Sequence, residues 1–434
     1  MSSRSVFVVP NPAPAEANGM PALLPGAAGF FFSFRIAIVL VAVRLFLQNA
    51  QTGVVAGLVC NYVLLVVVGF FSLGPAAHGV RLLVRGPVWW ALGFLGFSGV
   101  SLLWSSAASL PAAAAFWCAM AADVGIAMLL LRSGPAEETS EAVMQGYIWG
   151  TCAFAAIAWM LPAQSDLRLG DEELLGPNQI GYACAFAFFM AQYLMARRGR
   201  VWAIPAAFCA ITLLRSLSKT SIVAFIAGEA FILLRDRSLS RTRKLVLIAA
   251  ALVVIVAFQG LIASYYTIYI NAGSEAETLT GRLGIWAYFL AESLQQSWIG
   301  HGFHSVWKVV PPFGPFEARH AHNELIQQFY AYGVAGVVLL IGLYGSIFRL
   351  IRRLGKGSVR TFFLGLLIFI LVRGLGDTEP FDLSLPLWFI CLISPVLAQW
   401  TAQAQERESA PAALRSKPLV PFAGGTAATR RFLS

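Results

Sequence analysis

Charged residues are scarce in this chain. Asp, Glu, Lys and Arg make up 12% of its 434 residues, while 58% are hydrophobic. Soluble domains carry about 25% charged residues. The shortage excludes one large soluble core, because the apolar residues fall in blocks near the ~20 residues that a helix needs to cross a bilayer. Patterned cysteine is also missing. Cys60, Cys118, Cys152, Cys184, Cys209 and Cys391 all lie inside apolar blocks, and none forms a CxxC or a Cys/His spacing. A zinc site and a disulfide framework are thereby excluded, and the thiols read as small packing residues. No glycine-rich phosphate loop and no internal repeat is found. Residues 1–28 have no charged start running directly into an apolar stretch, so no cleavable signal peptide is expected. The net charge of +10 comes without a basic stripe interleaved with aromatics, and no nucleic-acid partner is predicted.

What is present is a series of apolar blocks, near 29–48, 53–74, 87–105, 112–131, 142–162, 178–196, 201–216, 218–234, 245–265, 324–348, 361–376 and 383–400. They predict an all-α polytopic integral membrane protein with about 12 transmembrane helices and one long periplasmic loop containing an amphipathic helix. The expected parts are a disordered cytoplasmic N-terminus (1–28), transmembrane helices 1–9 (29–265), the large loop (266–322), transmembrane helices 10–12 (323–400) and a disordered cytoplasmic tail (401–434). With the N-terminus in the cytoplasm, the basic loops around Arg81, Arg132, Arg197, Arg235 to Lys244 and Arg349 to Arg360 all fall on that side. This is the positive-inside pattern. Acidic loops with Asp166, Asp171, Glu172 and Glu173, and with Asp377, Glu379 and Asp382, fall on the other. Within the long loop, Leu283, Trp286, Phe289, Leu290 and Leu294 recur at helical spacing. They predict a helix lying at the outer membrane–water boundary, with Trp286 and Trp298 as anchors.

Three polar sets are expected on the outer face: Arg215 to Thr220 in RSLSKTS, Arg282, and Arg319, His320, His322, Asn323 and Glu324 in RHAHNE. Cations at membrane depth cost about 2.5–3.5 kcal/mol each on insertion scales. Arg215 and Lys219 stand four apart with no acid close in sequence. They would repel each other unless an anion such as a lipid-linked diphosphate bridges them. The plain alternative is snorkelling to the interface. His322 is suited to take a proton from a sugar hydroxyl at neutral pH, against a plain surface histidine beside an Asn323 helix cap. His301, His304 and His320-x-His322 raise a metal reading, but no third ligand stands at a standard spacing, so no metal is expected. Glu317, Glu324, Asp377 and Glu379 are available for a carboxylate pair whose separation the sequence does not give.

His322-Asn323, nine residues, then Gly333-Val-Ala-Gly336 resembles the motif of the O-antigen ligase and Wzy-type polymerase superfamily. LTGRLGIW followed by WIGHGFHSVW, with Gly300, Gly302, Phe303 and Trp307, is similar to the exopolysaccharide-polymerase branch. LLWS (102–105) and LGPNQIG (175–181) are weaker echoes, the latter with Pro177 where a basic residue is common. The resemblance covers roughly 100–345 in patches and is strong over 279–336. Gly333 and Gly336 also read as a close helix-packing face.

The resemblance implies metal-independent, cofactor-free glycan transfer from an undecaprenyl diphosphate carrier on the periplasmic side of a bacterial inner membrane, with both termini cytoplasmic. In that reading His322 is the catalytic base and Arg282 holds the diphosphate. Lys219 stands where the family often has Arg, with Arg215 one turn earlier as its substitute. Arg319, Asn323, Arg373 and Glu379 would support the acceptor. The function expected is polymerisation of an exopolysaccharide or capsule. The alternatives are ligation of O-antigen to lipid A core, and transport as a lipid-linked oligosaccharide flippase or small-anion carrier. Partners expected are the lipid-linked oligosaccharide, membrane lipids, and the flippase and chain-length or export proteins of the same pathway.

Overall fold

The computed structural model describes residues 23–42, 50–73, 86–162, 164, 168–170, 175–236, 240–257, 259–271, 279–312, 319–378 and 384–409. Fourteen α-helices are seen among them. They are α1 (Leu24–Ala42), α2 (Ala50–Leu73), α3 (Pro87–Val100), α4 (Leu110–Ser133), α5 (Ala136–Met160), α6 (Pro177–Arg198) and α7 (Ala203–Arg215). They continue with α8 (Lys219–Arg235), α9 (Arg241–Ala257), α10 (Gln259–Asn271), α11 (Leu279–Ser293), α12 (Glu324–Arg353), α13 (Ser358–Gly376) and α14 (Ser384–Ser409). Every apolar block is thus helical where described, although the block at 245–265 is divided between α9 and α10. Six helices are long and apolar enough to cross a membrane: those of α2, α4, α6, α12, α13 and α14. Of the twelve crossings expected, six stand on length and composition.

The helices that read worst as membrane spans are explained by their partners. Arg35 in α1 donates from Nη1 to both carboxylate oxygens of Asp123 in α4, at 2.7 and 2.8 Å. Asp123 is 3% exposed, so the charge that α1 carries is neutralised across the bundle. α1 also lies very close to α5. A Cβ on Gly29, Gly146 or Gly150 would run into backbone of the facing helix, and Gly146 and Gly150 form a small-xxx-small face. At the other end of the bundle, Arg197 and Arg198 each donate to Glu141 at 2.6 Å, binding α6 to α5.

α12 is not one rod. An unbroken helix would hold Glu324 and Tyr344 about 30 Å apart at ~1.5 Å rise per residue, yet the Tyr344 hydroxyl donates to Glu324 Oε1 at 3.1 Å. The chain folds back at Gly333, whose φ of 62° and ψ of −154° belong to a region open essentially to glycine alone. α12 therefore consists of two limbs, 324–332 and 334–353, and the second provides the membrane-spanning length. This corrects the straight span expected over 324–348.

The break exposes backbone groups that a helix would have used, and the loop after α11 takes them. His301 N–H donates to Tyr330 O at 3.0 Å and Gly302 N–H to Ala331 O at 2.7 Å. Val334 N–H donates to Ser297 O at 2.7 Å and Ala335 N–H to Trp298 O at 3.2 Å. Gly300 (φ 63°) and Gly302 (φ 88°) let the loop approach this closely. A Cβ on Gly302 would lie 2.5 Å from Ser105 Cα. Ser105 and Ser101 complete the joint: Ser105 Oγ donates to Phe303 O at 2.5 Å, and Phe303 N–H donates to Ser101 Oγ at 3.0 Å. The SLLWS, GHGF and GVAG stretches are thus parts of one backbone junction. Gly333 and Gly336 serve that junction rather than a face between two helices.

α11 forms as expected, but its apolar stripe splits. Ile285 and Phe289 are buried in a small second core with Val306, Val310, Ala321 and Tyr330. Leu283, Leu290, Leu294 and Trp298 are 43–77% exposed. Phe289, read as part of the interfacial stripe, faces protein instead, because Tyr330 packs edge-on against it at 4.8 Å.

The Arg35–Asp123 pair gives a clear expectation. Asp123→Leu leaves a cation in the bundle and should cost about 3–5 kcal/mol. The double variant Arg35→Met/Asp123→Leu should recover most of that loss. Thermal unfolding in detergent tests both, and a double variant no better than the single one would refute the pairing's role.

Candidate active site

The site is built where the first limb of α12 begins. Ala321 is pinned on both sides, its N–H donating to Gln327 Oε1 at 2.9 Å and its carbonyl accepting from Trp286 Nε1 at 2.9 Å. Asn323 caps the limb by accepting from Ile326 N–H at 3.1 Å, and its Nδ2 donates to Leu375 O at 2.9 Å. Between these fixed points His322 adopts φ 51°, a left-handed conformation uncommon outside glycine. Strain of this kind persists where surrounding bonds over-determine it, often at active sites.

His322 is buried, and its Nδ1 lies 3.3 Å from Asp377 Oδ1. With Nδ1–H as donor to that carboxylate, Nε2 is the nitrogen left to accept a proton. Asp377 follows the end of α13 and is 1% exposed. Its other oxygen accepts from Arg373 Nη2 at 3.2 Å. Arg373 in turn lies flat over the Tyr182 ring of α6, 3.8 Å from its centre. Burial alone would raise the Asp377 carboxyl. Arg373, His322 and His320 overturn that and hold it well below the usual carboxylate range. His320, with Nδ1 3.8 Å from Asp377 Oδ1, is pushed down to about 3, by burial first and by the neighbouring His322 second. It is neutral at physiological pH.

Arg282, in the first turn of α11, reaches across to the bundle. Its Nη1 donates to Gly376 O at 2.5 Å and approaches Thr220 Oγ1 at 3.4 Å. Gly376 adjoins Asp377 and Thr220 adjoins Lys219, so one guanidinium joins the three polar sets that the sequence places far apart. Nε of Arg282 is buried and finds no acceptor among the described residues. Lys219 is half-buried at the first turn of α8, and Arg215 is half-buried in the last turn of α7. They do not share one helical face, because the chain turns between them at Leu217 (φ 55°). The turn is held by Ser218, whose Oγ donates to Asn178 Oδ1 at 3.0 Å. Asn178 also accepts from Arg168 Nη2 at 2.9 Å, and Arg168 is 3% exposed.

Of the other candidates, Arg319 is exposed at the rim of this region. Glu379 and Glu317 lie outside the described residues. Glu324 and Asp377 do not act as a matched carboxylate pair. Glu324 is tied to Tyr344, and Asp377 to Arg373 and His322. The residues missed from sequence are Asp377 as partner of His322, and Tyr182, Asn178, Arg168 and Thr220 as supports. Asp377 carried a readable signal, standing four residues after Arg373 at a helix end. Asn178 and Tyr182 lay in or beside the LGPNQIG echo.

His320, His322 and Asp377 each offer one ligand atom within 4.8 Å of the others, a third metal donor that spacing did not show. Those atoms are already engaged, however. His322 N–H approaches His320 Nδ1 at 3.3 Å, and Arg373 neutralises Asp377. A cation beside the carboxylate opposes a divalent ion, so the cluster fits a hydrogen-bonded relay better.

Residues 204–341 match the family model described as O-antigen ligase, Wzy_C. This stretch places the chain in the O-antigen ligase and Wzy-type superfamily. The match includes Arg215, Lys219, Arg282, His322, Gly333 and Gly336, and ends before Arg373 and Asp377. Comparison with curated proteins returns no match. The helices carrying the O-antigen ligase segment thus supply the base and the cations, while α6 and α13, outside it, orient them.

The electrostatics of the relay set a pH dependence of stability. A folded His320 near 3 against about 6.5 unfolded means the unfolded chain binds the extra proton between those values. Asp377, depressed below its unfolded value near 3.8, adds stability that is lost only below that pH. Stability should therefore fall on acidification from pH 6.5 to 4, with a shallower fall in His320→Gln. Melting curves of both proteins across that range test it, and equal slopes would count against a buried neutral His320.

Proposed function

We propose that this protein is a glycosyltransferase taking its donor from an undecaprenyl diphosphate carrier, and that within this class it polymerises an exopolysaccharide or capsule. The carrying observation is Arg282, which bridges Thr220 beside Lys219 and Gly376 beside Asp377. That bridge sets a diphosphate-sized group of cations next to a histidine ordered by a carboxylate.

The chemistry follows from that arrangement. The acceptor hydroxyl attacks the anomeric carbon of the lipid-linked sugar. Its proton passes to His322 Nε2, and the imidazolium formed is stabilised through Nδ1–H by Asp377. The bond from the anomeric carbon to the diphosphate oxygen breaks, and the diphosphate leaves with both electrons. Arg282, Lys219 and Arg215 face the charge that develops on it, usually the largest catalytic contribution. Arg282 offers a planar guanidinium fork, while Lys219 acts as a point charge. Arg373 and Tyr182 keep Asp377 aimed. No step requires a metal.

Helix direction supports a periplasmic site. α6 and α8 begin at the site and end at Arg198 and Arg235, and α12 ends at Arg352 and Arg353. The basic ends are thus opposite the site, as the positive-inside rule requires of a site facing outward. The second reading is ligation of finished glycan onto lipid A core, favoured by the description of the matching family. The polymerase reading rests on the GRLGIW, GHGF and VW pattern.

Purified protein given lipid-linked repeat units should extend them with EDTA present. His322→Ala should lower the rate by about 10²–10⁴-fold, the range for losing a general base, and Arg282→Ala should also abolish extension. Extension that needs added metal, or that survives His322→Ala, would defeat the mechanism. In cells, deletion should leave single repeats on the carrier. Loss of core-attached glycan with polymer still made would instead establish the ligase.

A further inference from the structure

The fold-back at Gly333 does more than place His322. Between the two limbs of α12 and α13 it leaves a cavity of about 390 Å³. Its walls are Leu340, Ile341 and Phe348 of the second limb and Leu371 and Leu375 of α13, with Gly345 at its floor. Ile341, Phe348, Leu371 and Leu375 are 40–63% exposed, so the cavity opens sideways along the apolar, membrane-spanning face of the bundle. Its other end is the Glu324–Tyr344 contact and Gly374, against which Glu324 is packed.

That end is continuous with the site. Leu375, a wall residue, accepts the hydrogen bond from Asn323, and Gly376, one residue on, accepts from Arg282. An apolar channel facing lipid therefore runs directly into a group of cations. Such a surface is complementary to one kind of molecule, an amphiphile with a strongly anionic head and a long hydrocarbon tail. A free sugar phosphate would leave the channel unused, and an uncharged lipid would leave the cations unanswered.

We propose that the α12–α13 channel seats the isoprenoid chain of the lipid diphosphate donor, and that Gly345 sets the depth available to that chain. The assignment rests on the glycosyltransferase reading and extends it to the part of the substrate that does not react. Binding energy from such remote groups contributes to holding the reacting centre in place. Gly345 is the natural point to test, because a Cβ there meets nothing within 4 Å. A larger side chain would fill the channel without displacing protein.

The experiment compares two donors carrying the same glycan diphosphate, one on a two-isoprene chain and one on a full-length polyprenyl chain. Wild type, Gly345→Ala and Gly345→Phe are assayed in detergent, and melting curves establish that each is folded. Leu371→Trp, from the facing wall, serves as a second channel-filling variant. Wild type should prefer the long-chain donor at least 10-fold in kcat/KM. Gly345→Phe and Leu371→Trp should erase that preference through KM, with the short-chain donor unchanged and Gly345→Ala near wild type. A preference that persists in both folded variants overturns the channel assignment while leaving glycosyl transfer intact. Suppression of the long-chain advantage by added phospholipid in wild type, but not in the filled variants, would assign the channel to bilayer lipid and overturn the proposal. No transfer from either donor by wild type overturns the underlying reading, and the proposal with it.

Discussion

A backbone conformation open to glycine alone controls most of this structure. At Gly333 the helix gives up its own hydrogen bonds, and the 297–302 loop supplies replacements from outside. The exchange leaves few backbone groups orphaned, which matters where water is scarce and each unsatisfied group costs several kcal/mol. It also brings residue 324 back beside residue 344. From that single reversal follow the position of His322, its approach to Asp377, and the channel below. A β-carbon at 333 would collide with Trp298 and Ile299 as well as face an unfavourable φ, so the joint depends on glycine twice over.

Around this joint the chain arranges its charges in two styles. Away from the site, cations and carboxylates are closed on each other: Arg35 with Asp123, Arg197 and Arg198 with Glu141. Near it, cations outnumber carboxylates, and Arg282 answers to a carbonyl and a hydroxyl rather than to an acid. The first style holds helices together in an apolar surrounding. The second leaves net positive potential where a polyanionic leaving group would form.

The helices were legible because composition alone specifies them, and each apolar block is helical where described. Arg282, His322 and Lys219 were legible as chemistry because of their spacing and the motif around them. Their convergence was not. The hydropathy of 324–353 runs without interruption through Gly333, so pattern reading gives one rod where the chain makes two limbs. Asp377 could be seen as a carboxylate but not as the partner of His322, since that contact spans 55 residues and needs the fold-back. Arg35 looked like a flaw in a membrane helix because its partner lies 88 residues on, in another apolar block. Pro177 seemed to weaken the LGPNQIG echo, yet it opens α6 at a position where proline is favoured, and Asn178 beside it does the polar work.

The exposed face of α11 has a bearing on how the site meets its surroundings. Leu283, Leu290, Leu294 and Trp298 have no protein over them, while Arg282 sits in the first turn of the same helix. A helix with that distribution floats at a level set by the lipid headgroups, as a buoy sits at a waterline. The depth of the guanidinium relative to Gly376 is then referenced to the bilayer surface as well as to the bundle. Bilayer thickness becomes a mechanical input to the site: a thicker leaflet draws Arg282 outward, and a thinner one presses it home.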